Sequence, residues 1–407
     1  MFYASEFWLE LAHSTAFTVT AVYFVQDVGM NPLQLVLVGT AMEIAVFVFE
    51  IPTGVVADTY SRRLSLIVGW LVMGASLILI AATQTFGVIL AAYALWGFGY
   101  TFTSGAHQAW ITDEVGVTNV GRVFARGQQW GYGGGLIGVV ASVALASVAL
   151  PLAIAIGGVV AMAFALFAAW KMPETNFRRA DRGTSIGWSA AVRTARTGGQ
   201  FVRRHPMLML IMGIAFFAGA STESFDRLWE AQFITEIGLP ALGDLDPVVW
   251  FGLFGVVSML FGLIASQYLV RRFERIGQQR LAQLLMTFTA LQVLAVVAFA
   301  LSSNFALAAA AMWSYYLTRS LVNPVYDTWI NEQISDSSVR ATVISTTGQA
   351  DAIGQVVGGP GLGAIGTGFG LRAALLAGGV LLAPALALYG RALRHGGREP
   401  EIVELKS

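Results

Sequence analysis

The chain alternates long apolar runs with short polar breaks. Twelve runs stand out, at roughly 5–27, 33–57, 64–83, 86–110, 122–148, 151–171, 207–232, 247–270, 280–302, 305–332, 342–365 and 371–392; each is close to the about 20 residues a helix needs to cross a bilayer. Polar residues interrupt runs 1, 7 and 10. Most breaks are brief, with Asn31-Pro32, Thr83-Gln84-Thr85 and Leu150-Pro151 as turn signals. The exception runs from Lys171 to His205: it is polar, rich in arginine, and divides the runs six and six. Within it, Ile186 to Phe201 predicts a short surface helix. The expected organisation is an all-α integral membrane protein of twelve transmembrane helices in two six-helix bundles, 1–171 and 207–392, with a central loop over 172–206 and a tail over 393–407. No basic segment precedes the first run and no small-residue cleavage site follows it, so that run is expected to be retained.

Composition agrees with this pattern. Of 407 residues, 56% are hydrophobic and 12% charged, with a mean hydropathy of +0.67; a soluble domain carries about 25% charged residues. An ordinary soluble enzyme and a disordered chain are both excluded. Lys+Arg and Asp+Glu are equal at 24 each, so net charge is uninformative. The placement of the basic residues is not. Arg62 and Arg63 follow run 2, Arg122 and Arg126 follow run 4, and Lys171, Arg178, Arg179, Arg182, Arg193, Arg196, Arg203 and Arg204 fill the central link. Arg271, Arg272, Arg275 and Arg280 follow run 8, Arg340 follows run 10, and Arg391, Arg394, Arg398 and Lys406 form the tail; Arg372 alone falls on the other side. By the positive-inside rule, both termini and the central loop are predicted to be cytoplasmic, in a cell membrane.

Chemistry is excluded more readily than assigned. There is no cysteine, and His13, His107, His205 and His395 show no ligand spacing, so no metal or cofactor is expected. No phosphate-cradling Gly-x-x-x-x-Gly-Lys-Ser/Thr loop and no Gly-x-Ser-x-Gly elbow occurs, which argues against ATP hydrolysis and enzyme chemistry. The arginine-rich link suits anionic lipid headgroups. Nothing beyond that charge supports nucleic-acid binding, and a monomer is expected.

The two halves are weakly alike. Gly54-Val-Val-Ala57-Asp58-Thr-Tyr60-Ser-Arg62-Arg63 after run 2 answers Gly262-Leu-Ile-Ala265-Ser266-Gln-Tyr268-Leu-Val-Arg271-Arg272 after run 8. Trp110-Ile111-Thr112-Asp113 answers Trp329-Ile330-Asn331-Glu332, and Arg122 answers Arg340. Such a parallel repeat places a solute cavity between the halves near the midplane, although duplication also yields scaffolds that move nothing.

With Gly54-x-x-x-Asp58-x-x-x-Arg62-Arg63 in the link between runs 2 and 3, the chain resembles the major facilitator superfamily over essentially its whole length. The stretches Glu50 to Asp58 and Ser104 to Asp113 resemble its bacterial drug:proton antiporter branch, which exports tetracyclines and macrolides. The motif has a physical reading too. Gly54 allows close helix approach, Asp58 suits a helix N-terminus, and Arg62 or Arg63 pairs with Asp113. The resemblance implies that the helix facing Asp58 is the start of run 11, near Ala341 to Ser345, making a latch between the halves; alternatively the arginines only set topology. Ser266 replaces Asp58 in the second copy, so a weaker latch is expected there. Antiporters of this kind often carry an arginine within run 4 and Gly-Pro in run 5. This chain has only His107 in run 4, and glycines including Gly131 and Gly135 without proline in run 5. Run 11 carries Gly358-Gly359-Pro360, readable as close packing or as a hinge.

A charge inside the membrane costs on the order of 3 kcal/mol or more, so it needs a partner, water or a function. Run 1 carries Glu10 and His13, and run 2 carries Glu43 and Glu50. Glu223, Asp226, Arg227 and Glu230 form an i, i+3, i+4, i+7 stripe on run 7, in which Arg227 is expected to pair with Glu230. Arg319 lies deep in run 10 and is expected to pair with Asp351 or Asp327, as a structural ion pair or as a coupling device. Glu43 and Asp226 are further candidates for the proton, because burial favours a neutral carboxyl; Glu223 and His13 complete the set of proton or solute candidates. The expected function is proton-coupled efflux of a small lipophilic drug by alternating access. The alternatives are a metabolite carrier of the same fold and a non-transporting receptor or scaffold.

Overall fold

The computed structural model describes residues 1–177, 205–242, 248–268, 276–333 and 337–395. The predicted surface helix at Ile186 to Phe201, all the arginines of the central link, Arg271, Arg272, Arg275 and the tail residues Arg398 and Lys406 lie outside these residues, as do the side chains of Ser266 and Arg340. The described chain is helical apart from its links. The helices are α1 (Phe2–Gln26), α2 (Pro32–Thr59), α3 (Arg62–Ala81), α4 (Phe86–Thr101), α5 (Ala106–Val115), α6 (Val117–Ala146) and α7 (Leu150–Lys171). They continue with α8 (Pro206–Gln232, extended by a π turn at Phe233–Ile237), α9 (Val249–Tyr268), α10 (Gln278–Leu301), α11 (Phe305–Gln333), α12 (Ser337–Phe369) and α13 (Leu371–His395). Each predicted span is a helix. The fourth is two, α4 and α5, split at Phe102 to Gly105.

Local sequence sets the ends. Asn31 caps α2 by accepting from Gln34 N while the Gln34 side chain accepts from Asn31 N, a reciprocal capping box with Pro32 following. Ser61 Oγ accepts from Leu64 N at 2.9 Å and starts α3. Among the described residues, eight helical segments are long and apolar enough to cross a membrane by length and composition, and α9 contributes a shorter apolar stretch. The helices outside that set are α1, α11 and α12, which are interrupted by Glu6, Glu10, Arg319, Asp327 and Asp351.

The chain folds as two compact units: Met1–Ala191 with Pro240–Val256, and Val192–Leu239 with Val257–Ser407. Within the first, α1 packs on α6 and α7, and α3 on α7 and α4. Within the second, α8 packs on α12 and α13, and α10 on α13 and α11. Taking α4 and α5 as one span, these are the same pairings shifted by six. The weak sequence repeat is therefore a repeat of packing.

Small residues make the first pairing of each unit close. A Cβ on Gly134 would strike the backbone oxygen of Phe7, and one on Gly138 would lie 2.6 Å from the oxygen of Leu11, so α6 touches the backbone of α1. In the second unit a Cβ on Gly219 would strike the backbone oxygen of Asp351, one on Gly354 that of Phe216, and one on Gly358 would lie 2.8 Å from Cα of Ala220. Gly131 makes only ordinary contact with Glu6 O at 3.8 Å, while Gly135 and Gly359 are buried on the same helices. Among the described residues a Cβ on Gly54 would meet nothing within 4 Å, whereas α4 comes close to α2 at Gly97, whose Cβ would lie 2.6 Å from Met42 O. Pro360 does not break its helix, since α12 runs through it.

Replacing Gly134 with alanine is expected to lower the thermal midpoint of detergent-purified protein, by the roughly 1–3 kcal/mol typical of overpacking. Gly54→Ala is expected to leave it level or raise it, because alanine is favoured over glycine in helices by up to about 1 kcal/mol. Static light scattering or nanoscale fluorimetry on the two variants checks both.

Candidate functional site

Three residues of the predicted latch, Asp58, Arg62 and Asp113, come together around the N-terminus of α3. Arg62 pairs with Asp113 at the end of α5 and donates from Nη1 to Ala109 O at 3.0 Å, and its Nη2 lies 3.6 Å from Asp58 Oδ1 one turn earlier. Arg63 does not reach Asp113; it donates from Nη2 to Ala169 O at 2.5 Å. The segment after α7 completes the cluster, a contribution that no sequence motif announces. Glu174 accepts from Ser61 Oγ at 2.6 Å and from Arg63 N at 2.9 Å, while Trp110 Nε1 donates to Pro173 O at 2.7 Å. Glu114 accepts from Thr175 N, Thr175 Oγ1 and Asn176 N. One unit thus ties α3, α5 and the exit from α7 together through charge-assisted hydrogen bonds. The side chain of Asp58 is 51% exposed, against 30% for Asp113 and 17% for Arg62.

The break in span 4 follows from Thr103-Ser104-Gly105. Gly105 sits at φ +64°, a left-handed value that costs a residue with a side chain energy but glycine little. The carbonyls released by the break lie beside hydroxyls: Thr53 Oγ1, shared with Phe49 O at 2.8 Å, is 3.0 Å from Thr101 O, and Ser65 Oγ donates to Phe102 O at 2.8 Å. Ser104 Oγ donates to Glu50 Oε1 at 3.1 Å. Beside this break lies a cavity of about 540 Å³ within the first unit, reached by Glu6, Glu10 and His13 of α1 and walled by the aromatic rings of Phe17, Trp70, Trp96, Tyr100 and Phe124. Trp96 and Tyr100 stack at 5.7 Å, and His13 lies over Phe17 at 4.4 Å. Glu6 is not among the residues singled out by sequence, though Glu6, Glu10 and His13 are spaced i, i+4, i+7 and mark one face of α1. Glu43 is half-buried on α2 and does not line this cavity.

The second unit holds a different cavity, of about 640 Å³. Amides, hydroxyls and charges line it: Gln292, Asn323, Asn331, Gln355, Thr222 and Thr347 together with Arg319, Asp327 and Asp351. The partner of Arg319 corrects the sequence expectation. Its Nη1 donates to both oxygens of Asp226, at 2.6 and 2.7 Å, rather than to Asp351 or Asp327. Asp351 instead accepts from Gln355 Nε2 at 2.7 Å, one turn along α12, and Asp327 is exposed. The stripe on α8 sorts itself accordingly: Asp226 turns to Arg319, and Arg227 reaches back one turn to the buried Glu223 at 3.5 Å, where Glu230 is the expected partner. An arginine already compensated leaves Asp327 and Asp351 as the charges the cavity offers. Among the described residues no cluster of three or more His, Cys, Asp or Glu side chains is placed to hold a metal ion.

These features decide the family question together with direct comparison. Residues 7–332 match the family model described as Major Facilitator Superfamily. The chain belongs to the major facilitator superfamily. An uncharacterised MFS-type transporter, YxaM of Bacillus subtilis (strain 168), is 23% identical over 368 residues, 88% of this chain and 86% of its own. Among solved structures, a point mutant of the nucleoside transporter NupG superposes with a TM-score of 0.77 at 14% identity, covering 96% of this chain and 98% of that one. A bacterial homolog to the human lysosomal transporter Spinster, inward-facing and unoccupied, gives 0.75 at 15% identity over 97% and 96%. Identities this low establish the shared fold of this superfamily member. Family and fold are those of a multi-pass membrane transporter.

Asp226→Asn leaves Arg319 without its counter-charge. Removing one partner of a fully buried pair costs roughly 3–5 kcal/mol. Here the two side chains keep 35% and 29% of their exposure, so a loss on the order of 2 kcal/mol is expected. The double variant Asp226→Asn with Arg319→Gln is expected to recover part of it. Thermal denaturation of the single and double variants completes the cycle.

Proposed function

We propose that the chain is a proton-coupled secondary transporter that exports amphipathic organic solutes by alternating access, in a cell membrane with both termini on the cytoplasmic side. The observation that carries the reading is the charge of the two cavities. Glu6 and Glu10 face one, Asp327 and Asp351 face the other, and the arginine among them is already compensated by Asp226. A carboxylate in such a place is neutralised by a proton or by a solute, not readily by both, and that competition is the physical basis of exchange. The aromatic walls of the first unit's cavity suit a flat apolar body, which favours drug export of the tetracycline or macrolide kind. The lipid bilayer supplies such solutes, and a monomer suffices.

A second reading, a carrier for a polar metabolite, is favoured by the amides and hydroxyls of the second unit's cavity. A site rich in hydrogen-bonding groups discriminates strongly against solutes that leave those groups unpaired. That the Asp58 and Arg62 cluster serves as a latch during exchange belongs to the same proposal.

Everted vesicles with an acid interior, monitored by a pH-sensitive dye, separate the readings. Addition of a tetracycline, macrolide, ethidium or fluoroquinolone is expected to collapse part of the gradient, and Asp58→Asn to abolish most of that response while leaving solute binding nearly intact. A response confined to nucleosides or peptides would favour the metabolite carrier. No response to any solute, with folded protein verified, would count against proton coupling.

A further inference from the structure

At one point of the first unit's cavity a histidine and a carboxylate face each other just beyond hydrogen-bond distance. His107, on α5 just past the break in span 4, lies with Nε2 2.8 Å from Ser5 Oγ and with Nδ1 3.6 Å from Glu6 Oε1. Ser5 is buried, and its hydroxyl lies 2.7 Å from the carbonyl oxygen of Phe2. A serine hydroxyl has one hydrogen to give, and a carbonyl can only accept. With the hydrogen of Ser5 on the Phe2 carbonyl, the shorter of its two contacts, Ser5 accepts from His107. In that arrangement the imidazole carries its hydrogen on Nε2 and turns the lone pair of Nδ1 toward the carboxylate of Glu6. Two acceptors then face each other at 3.6 Å, beyond the roughly 2.7–3.2 Å of a hydrogen bond. One added proton, on Glu6 or on Nδ1, converts this repulsive face into a hydrogen bond.

The surroundings sharpen the point. The ring of His107 lies against Phe2 at 5.0 Å, Trp70 at 6.0 Å and, nearly parallel, Trp110 at 6.3 Å, which limits hydration of a separated charge pair. On α1, Glu10 is the second carboxylate acting on Glu6, and His13 stands further along the same cavity. From α6 come Phe124 and, beside Glu10, Tyr132; from α3 Trp70; from α7 Ala161; and from α2 Glu50, held by Ser104. On α5 itself, Asp113 is engaged by Arg62. Among these groups no arginine or lysine is paired with Glu6.

We infer that Glu6 and His107 jointly bind a single proton at the edge of the first unit's cavity, and that this is a proton exchanged for solute. The second clause rests on the proton-coupled reading above; the first does not. The site links α1 to α5, so taking up or losing the proton closes or opens the 3.6 Å gap between a helix lining the cavity and the short helix beyond the break.

Nitrogen NMR of protein labelled with [15N]histidine tests both clauses, because the chain has only four histidines and His107→Gln identifies the relevant signal. At alkaline pH the expected state is an Nε2–H ring with bare Nδ1. Acidification is expected to shift the Nδ1 signal in a single one-proton step. In Glu6→Gln the amide N–H can donate to Nδ1 and hold the neutral ring, so that step should be lost or displaced to lower pH. The gradient response of the vesicles should fall at least tenfold in the same variant. An Nδ1–H ring at all pH values in the wild-type protein would overturn the proton site without recourse to any variant. A titrating site whose Glu6→Gln variant still couples as well as wild type would overturn its role in exchange. A titrating site in a protein whose wild type shows no gradient response would uphold the proton site and sink the proton-coupled reading instead.

Discussion

A charged group in a low-dielectric medium must find a counter-charge, a donor or water, and this constraint arranges most of the polar structure described here. Arg319 on α11 is held by Asp226 on α8. Arg62 on α3 is held by Asp113 on α5. Asp351 takes the amide of Gln355 one turn away. Where the described residues supply no such partner, as at Asp327, Glu10 and His13, the side chain lines a cavity. The helices that carry most of these groups are also the ones too polar to meet a simple hydropathy criterion for crossing a membrane. Lowered hydropathy and cavity lining are two signs of the same physical fact.

Polar helices are also pressed closely against a neighbour. In the first unit, α1 meets α6 where Gly134 and Gly138 lie against the backbone oxygens of Phe7 and Leu11, flanking the turns that hold Glu6 and Glu10. In the second, α12 meets α8 where Gly219 lies against the backbone oxygen of Asp351 itself. Side chains are flexible, but backbone touching backbone is not, so the carboxylates are positioned by contacts that tolerate no added methyl group.

Much of this is legible in the sequence because bilayer thickness imposes a length on every apolar run. The runs, the six-plus-six division and the motif from Gly54 to Arg63 require no knowledge of packing. What the sequence leaves open is rotation about each helix axis. Helices such as α4, Phe86–Thr101, are apolar nearly all round, so the face turned to a neighbour leaves little mark on composition. Pattern alone therefore matches Arg319 with carboxylates on its own and the following span, whereas its partner, Asp226, lies on α8, 93 residues earlier. The close approach of α4 to α2 at Gly97 likewise has no motif to mark it. The split of span 4 has a visible cue in Ser104-Gly105, since sharp breaks gather at such pairs. Glu6 has one in its spacing to Glu10 and His13.

The split itself has a mechanical consequence. The broken end of α4 is stitched by hydroxyls from two other helices, Thr53 of α2 and Ser65 of α3, and α5 beyond it is tied by Asp113 to Arg62 of α3. Span 4 is therefore not one rod but two levers meeting at a pivot, with Gly105 as the joint. Its matching span in the second unit, α11, runs from Phe305 to Gln333 as one piece. A torque applied to α5 would be taken up as torsion at the pivot and delivered to α2 and α3, while the same torque on α11 would swing the whole shaft. The two halves of a duplicated protein would thus bend by different mechanics.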